Sequence, residues 1–176
     1  MSVIRNVYNA LEAVTVTTTS GTTPTVYDLD ELPENITTAH LPCRLLLPLG
    51  ADPGEGREGQ FIAVGTTMTI VWQVNDLMLW EASEQGLGLR EFAPELVDYC
   101  GKYLDAMRDF RCPYANTALE DVTMTPGEYE WPSGSGRYYA GVLCQLSIKE
   151  VVSPSGSGRY YAGVLCQLSI KEVVSG

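Results

Sequence analysis

The chain has 176 residues, 45% of them hydrophobic, and its 22 acidic against 11 basic side chains give a formal charge of −11. That length and apolar content suit one globular domain, or a domain with an arm, whose core needs neither disulfides nor metal. The acidic balance excludes a binder of the nucleic-acid backbone, which draws on clustered Lys and Arg, and an anionic membrane surface; it leaves partners with basic faces.

At the N-terminus Ile4, Val7, Tyr8 and Leu11 follow the i, i+3, i+4, i+7 rule, with Ser2 placed as an N-cap, and predict a short amphipathic helix. The β-branched run Val14–Thr19 resists helix and favours strand or extended chain. Ser20–Thr25 is turn chemistry, and Tyr27–Pro33 is acidic and irregular. A short strand is expected within His40–Pro48; its prolines place it at a sheet edge or start it just after Pro42.

Gly50–Gln60 (GADPGEGREGQ) predicts a mobile hairpin tip, with the return strand beginning at Phe61–Val64. Met68, Ile70, Trp72 and Val74 alternate with Thr67, Thr69, Val71 and Gln73, the period-2 pattern of a half-buried strand. Asn75-Asp76 either turns a hairpin there or bulges one long strand. After a loop at Ser83–Gly88, the spacing of Leu89, Phe92, Leu96, Tyr99, Tyr103, Met107 and Phe110 predicts the longest helix. Pro94 fits its first turn, and Gly101 implies close packing on the sheet.

Asp121–Thr125 and Glu128–Trp131 read as two short strands around Pro126-Gly127. A long strand follows over Arg137–Val152. Tyr138, Ala140, Val142, Cys144, Leu146 and Ile148 share one face of it, and Tyr139, Gln145, Ser147 and Lys149 the other. The order of elements makes the class α+β: a mostly antiparallel sheet packed by one long helix and a short N-terminal helix, with an extended hairpin loop.

Pro132–Ser153 reads PSGSGRYYAGVLCQLSIKEVVS, and Pro154–Ser175 repeats it residue for residue. Identity this complete points to a recent tandem event, an engineered insertion or an error of record. Residues 1–153 then form one domain, and 154–176 duplicate its closing strand. Both copies carry the same inward face. The second either forms a hairpin with the first at a sheet edge or competes with it, leaving one copy as an arm.

The search for chemistry returns little. Five Cys become four once the repeated one is counted once, none spaced as C-x-x-C, which suits free thiols in a reducing cytoplasm. Neither a signal peptide nor an apolar run long enough to span a membrane is visible. His40 is the sole histidine and stands at H-x-x-C spacing from Cys43, a possible start to a metal site that no second His completes. The Gly-rich loop lacks the Gly-Lys-Ser/Thr ending of a phosphate cradle, and Asp28, Asp30 and Glu31 lack the rest of a calcium loop. Glu81 and Glu84 have no sugar cleft behind them. Asn35-Ile36-Thr37 matches the glycosylation pattern, which carries no weight without a secretion signal. Cys100 and Cys112 read as core or boundary residues. Trp72, Trp80, Trp131, Tyr138 and Tyr139 read mostly as sheet packing, with any on the outer face serving as subunit anchors. No enzyme, cofactor or metal is expected.

The N-terminal helix, the Leu-Pro-Cys-Arg-Leu-Leu-Leu-Pro strand, Thr-Ile-Val-Trp-Gln-Val-Asn-Asp-Leu-Met-Leu-Trp, the helix Leu89–Phe110 and the closing Tyr-Tyr-Ala-Gly-Val-Leu-Cys-Gln-Leu-Ser-Ile-Lys-Glu-Val-Val strand together resemble small virion proteins of long-tailed bacteriophages. In arrangement, over roughly residues 2–152, the chain is similar to tail terminator (tail completion) proteins. The resemblance implies a homo-oligomeric ring, a hexamer, that caps the tail tube and meets the head-side connector. It implies a protein assembled in the host cytoplasm and located in the virion, whose partners are itself, the tail tube protein and connector proteins. The Gly50–Gln60 tip, with Asp52, Glu55, Arg57 and Glu58, is then the expected ring contact, together with Tyr139. Another neck or tail-tube protein, or from a different class a small hydrolase or metal-binding module, are the alternatives.

Overall fold

The computed structural model describes residues 3–47, 60–64, 67–83, 88–113 and 116–152. Helix α1 (Val3–Glu12) opens the chain and α2 (Gly88–Asp109) divides it. Six strands, β1 (Thr25–Tyr27), β2 (Cys43–Leu47), β3 (Gln60–Val64), β4 (Thr67–Ser83), β5 (Thr117–Glu130) and β6 (Tyr138–Val152), form one sheet in the order β1-β2-β4-β6-β5, with β3 off this path and paired to β4. All pairs are antiparallel except β1 with β2, so the α+β class and the mostly antiparallel sheet are as expected.

Both helices cover one face of the sheet. Val7, Tyr8 and Leu11 of α1 and Leu96, Tyr99, Tyr103 and Met107 of α2 pack on Leu46, Val74, Met78 and the alternate residues Ala140–Ile148 of β6. Half of the opposite face is covered by the segment preceding β2. Ile36, Leu32 and Leu41 lie there against Leu45, Leu77, Leu79, Tyr139 and Leu143. The other half stays polar: Gln73 Nε2 donates to Ser147 Oγ at 3.0 Å, and Lys149 pairs with Glu120 at 3.1 Å. β2 is thus buried along its whole length, and it lies inside the sheet rather than at an edge. It does start just after Pro42, where a missing N–H costs no ladder bond.

Several local expectations give way to tertiary context. Thr25–Tyr27, which runs from the end of the stretch read as turn to the start of the one read as irregular, pairs in parallel with β2. Asn75-Asp76 neither turns nor bulges β4: both residues keep their partners on β2 and β6, and the bulge falls at Trp80 instead. Pro126-Gly127 does not divide β5, whose register with β6 runs straight through both residues. β5 is an edge strand, and there a proline's missing donor faces away from the ladder. β3 pairs with β4, not with β2, so β2 and β3 follow one another along the same side of β4, opposite Leu79–Asn75 and Val71–Thr67. Gln60, read as the end of the predicted tip, opens β3; the rest of that tip lies outside the described residues, as does the second copy of the repeated unit. Helix α2 begins at Gly88, which puts Pro94 in the second turn rather than the first. A Cβ added at exposed Gly101 would meet nothing within 4 Å, so close packing is not what this glycine serves.

β6 is the axis of the sheet, paired along its length by β4 on one side and β5 on the other. Its Gly141 is required by contact: a Cβ there would stand 2.2 Å from the Met78 carbonyl oxygen.

Candidate functional site

The densest polar chemistry in the chain is sealed inside it. Arg44 on β2 and Asp76 on β4 face the helix layer and are 1% and 0% exposed. Arg44 Nε donates to both carboxylate oxygens of Asp76 at 3.2 and 3.1 Å, and an Nη reaches Oδ2 at 2.6 Å. The guanidinium also donates to the Val14 carbonyl at 2.6 Å and the Leu11 carbonyl at 3.3 Å, just where α1 ends. A cation there meets the negative end of the helix dipole. Tyr103 of α2 completes the set, donating its hydroxyl to Asp76 Oδ2 at 2.8 Å while its ring lies 5.7 Å from the Arg44 guanidinium carbon.

The electrostatics follow from burial and pairing. Burial pulls the Arg44 pKa down, but Asp76, with Tyr99 and Tyr103, outweighs it and the net shift is upward. Burial, and then the Asp76 charge, raise the hydroxyls of Tyr99 and Tyr103 and the thiol of Cys144 well above their ordinary values. These shifts carry Arg44, Tyr99, Tyr103 and Cys144 further from neutrality. With its charges paired and no member open to solvent, the cluster holds β2, β4, α1 and α2 together and offers a substrate no approach.

His40 and Cys43 do not combine. The His40 Nδ1 accepts the Thr37 backbone N–H at 3.1 Å, its ring meets Tyr27 edge-on at 6.1 Å, and the Cys43 thiol sits in the second core, where burial raises its pKa to about 12. Asp28 caps its own turn by accepting from the N–H groups of Asp30 and Glu31, and Asp30 pairs with Arg5 of α1. Cys100 and Cys112 are half-buried against the main core. Among the described residues no group of three metal-ligating side chains converges.

Of the expected contact residues, Asp52, Glu55, Arg57 and Glu58 lie outside the described residues. Tyr139 has a different place from the one expected. Only 3% exposed, it is packed in the second core with its hydroxyl donating to the Ile36 carbonyl at 3.0 Å, so within the protomer it is an interior residue. The alternation of β6 had assigned it to the face opposite Ala140, correctly, but that face is covered here by the segment carrying Ile36.

The outer side of α2 carries what the sequence reading did not single out. Val97 and Leu104 are 65% and 48% exposed, and exposed Pro94 and Gly101 continue the same i, i+3, i+4 line, giving an apolar ridge turned away from the core. The signal was present as a second apolar stripe on a helix whose first stripe already accounts for its packing. No family model matches the chain, and no curated protein matches it.

Proposed function

We propose that this chain is a structural assembly protein of a phage virion, forming a ring that terminates the tail tube and joins it to the head-side connector. The observation that carries the reading is the Val97–Leu104 ridge. A large apolar side chain left 65% exposed beside a second at 48%, on a helix whose inner stripe is filled, is the kind of surface a neighbouring subunit covers. The resemblance of the element order to tail terminator proteins supplies the identity of the assembly. The formal charge of −11 suits a ring that meets basic faces above and below it. The concentrated polar chemistry being spent on internal cohesion agrees with a scaffold role.

Native mass spectrometry and negative-stain microscopy of the purified chain test the proposal together. A uniform hexameric ring is expected, and Leu104→Glu should dissolve it into folded monomers, with stability changed by no more than about 0.5 kcal/mol, as for an ordinary surface substitution. A parent protein that stays monomeric at tens of micromolar would overturn the assembly reading. A ring indifferent to Leu104→Glu would remove α2 from the contact.

A further inference from the structure

We propose that residues 29–41 are a strap that swings off the sheet as a unit. Its opening uncovers the apolar face formed by Leu45, Leu77, Leu79, Tyr139 and Leu143, while the sheet and the helix layer stay folded. This inference is independent of the assembly reading. It rests on how the segment is held.

The strap belongs to the connection between the parallel neighbours β1 and β2, and it packs on the sheet face that the helices leave open. A crossover between parallel strands is usually a helix, which satisfies its own backbone. Here one short helical turn, Thr38–His40, is the only regular piece. The backbone–backbone hydrogen bonds of residues 29–41 run from Glu31 N–H to Asp28, from His40 N–H to Thr37 and from Leu41 N–H to Thr38. Among the described residues none of them reaches the sheet.

Side chains hold the strap down. The Tyr139 hydroxyl donates to the Ile36 carbonyl at 3.0 Å, the Trp131 indole donates to the Pro33 carbonyl at 3.2 Å, and Arg5 pairs with Asp30. The Arg5–Asp30 pair is exposed and adds little. Ile36 is the one strap residue that is buried, with Leu32 and Leu41 partly so. A segment with no ladder bonds and one buried anchor has the marks of low local stability.

The floor beneath has its own support. β2 keeps its ladder partners on β1 and β4, and on the helix side Arg44 is fixed by Asp76. None of these contacts involves the strap. Opening therefore removes one cover from one face, and that face meets solvent only in the open form.

Two thiols report the two layers. Cys43 lies in the second core with Ile36, and Cys144 lies in the main core beneath the helices; both are fully buried. The test is alkylation of the full chain carrying Cys166→Ser, read by peptide mass spectrometry. Without that change the tryptic peptides bearing Cys144 and Cys166 are identical. Cys43 should react about tenfold faster than Cys144 or more, with a weaker dependence on urea, because opening the strap exposes less surface than global unfolding. Tyr139→Phe, which removes one tie, should raise the Cys43 rate about two- to tenfold. Met107→Ala weakens the helix layer, which stays intact in the open form. It should speed Cys144 by about thirtyfold or more and leave Cys43 unchanged. Equal rates with equal urea dependence in the parent would overturn the strap, as would acceleration of both thiols by the same factor in Met107→Ala.

Discussion

Two tyrosines one turn apart on α2 sit against the same buried charge and have opposite energetic roles. Tyr103 donates a hydrogen bond from its hydroxyl to Asp76, whereas the buried hydroxyl of Tyr99 has no hydrogen-bond partner among the described residues. Hydrogen bonds to charged groups contribute about 1.5–3 kcal/mol, and an unmet buried hydroxyl costs about 1–3. Tyr103→Phe should accordingly destabilise the protein by about 2 kcal/mol, while Tyr99→Phe should leave stability unchanged or raise it by about 1 kcal/mol. Urea unfolding of both variants separates the two effects, and equal losses would contradict this assignment of partners. Neither tyrosine's role was legible in the sequence. Both read correctly as core positions from helical spacing, but Arg44 and Asp76 are 32 residues apart and meet only through strand pairing. The one local hint was a charged residue inside the apolar run Leu-Pro-Cys-Arg-Leu-Leu-Leu.

At the scale of elements, propensity and context compete visibly. Asn-Asp and Pro-Gly are turn signals, yet both lie inside continuous strands: Asp76 because Arg44 holds it, Pro126 because it stands on an edge. The alternating pattern of β6 was legible because Ala140, Val142, Cys144, Leu146 and Ile148 are buried under the helices while Gln145, Ser147 and Lys149, on the opposite face, are only partly buried. Gly101 is a different case, a helix-interior glycine with open space where its side chain would be. Gly101→Ala should stabilise α2 by about 0.5–1 kcal/mol, read as a raised urea midpoint at constant m-value. A loss of stability would mean that something closes on this site.

The segment after α1 is tied to α2 by Asp98, which accepts from the Thr19 hydroxyl at 2.6 Å and its N–H at 2.7 Å. These hydrogen bonds, first that of the hydroxyl and then that of the backbone, hold the Asp98 pKa below its ordinary value. A carboxylate with a depressed folded pKa contributes stability that is fully present above its unfolded pKa of about 3.9 and is lost as pH falls through the folded value. The stability gap between the parent and Asp98→Asn should therefore be constant from pH 5 to 7 and shrink on acidification below about pH 4. A gap that does not narrow would assign the effect to packing.

For the molecule as a whole, one sheet face carries both helices and the buried ion pair, while the other is apolar where the segment bearing Ile36 covers it and polar beyond. The sequence was enough for the class, the helices and the closing strand. The strand order was not legible, since alternation says which face a residue takes but not which strand lies beside it. The assembly proposed above draws on the outer surface of α2, which takes no part in the internal pairing that fixes the fold.

The central place of β6 has a consequence for how the protein is made. Every other described element precedes β6 in the chain, yet β4 and β5 meet only through it. During synthesis the ribosome releases two long strands that are not neighbours in the sheet, each presenting unsatisfied backbone along the edge that β6 later fills. The nascent chain is thus most open to aggregation and to capture by chaperones just before residues 138–152 appear.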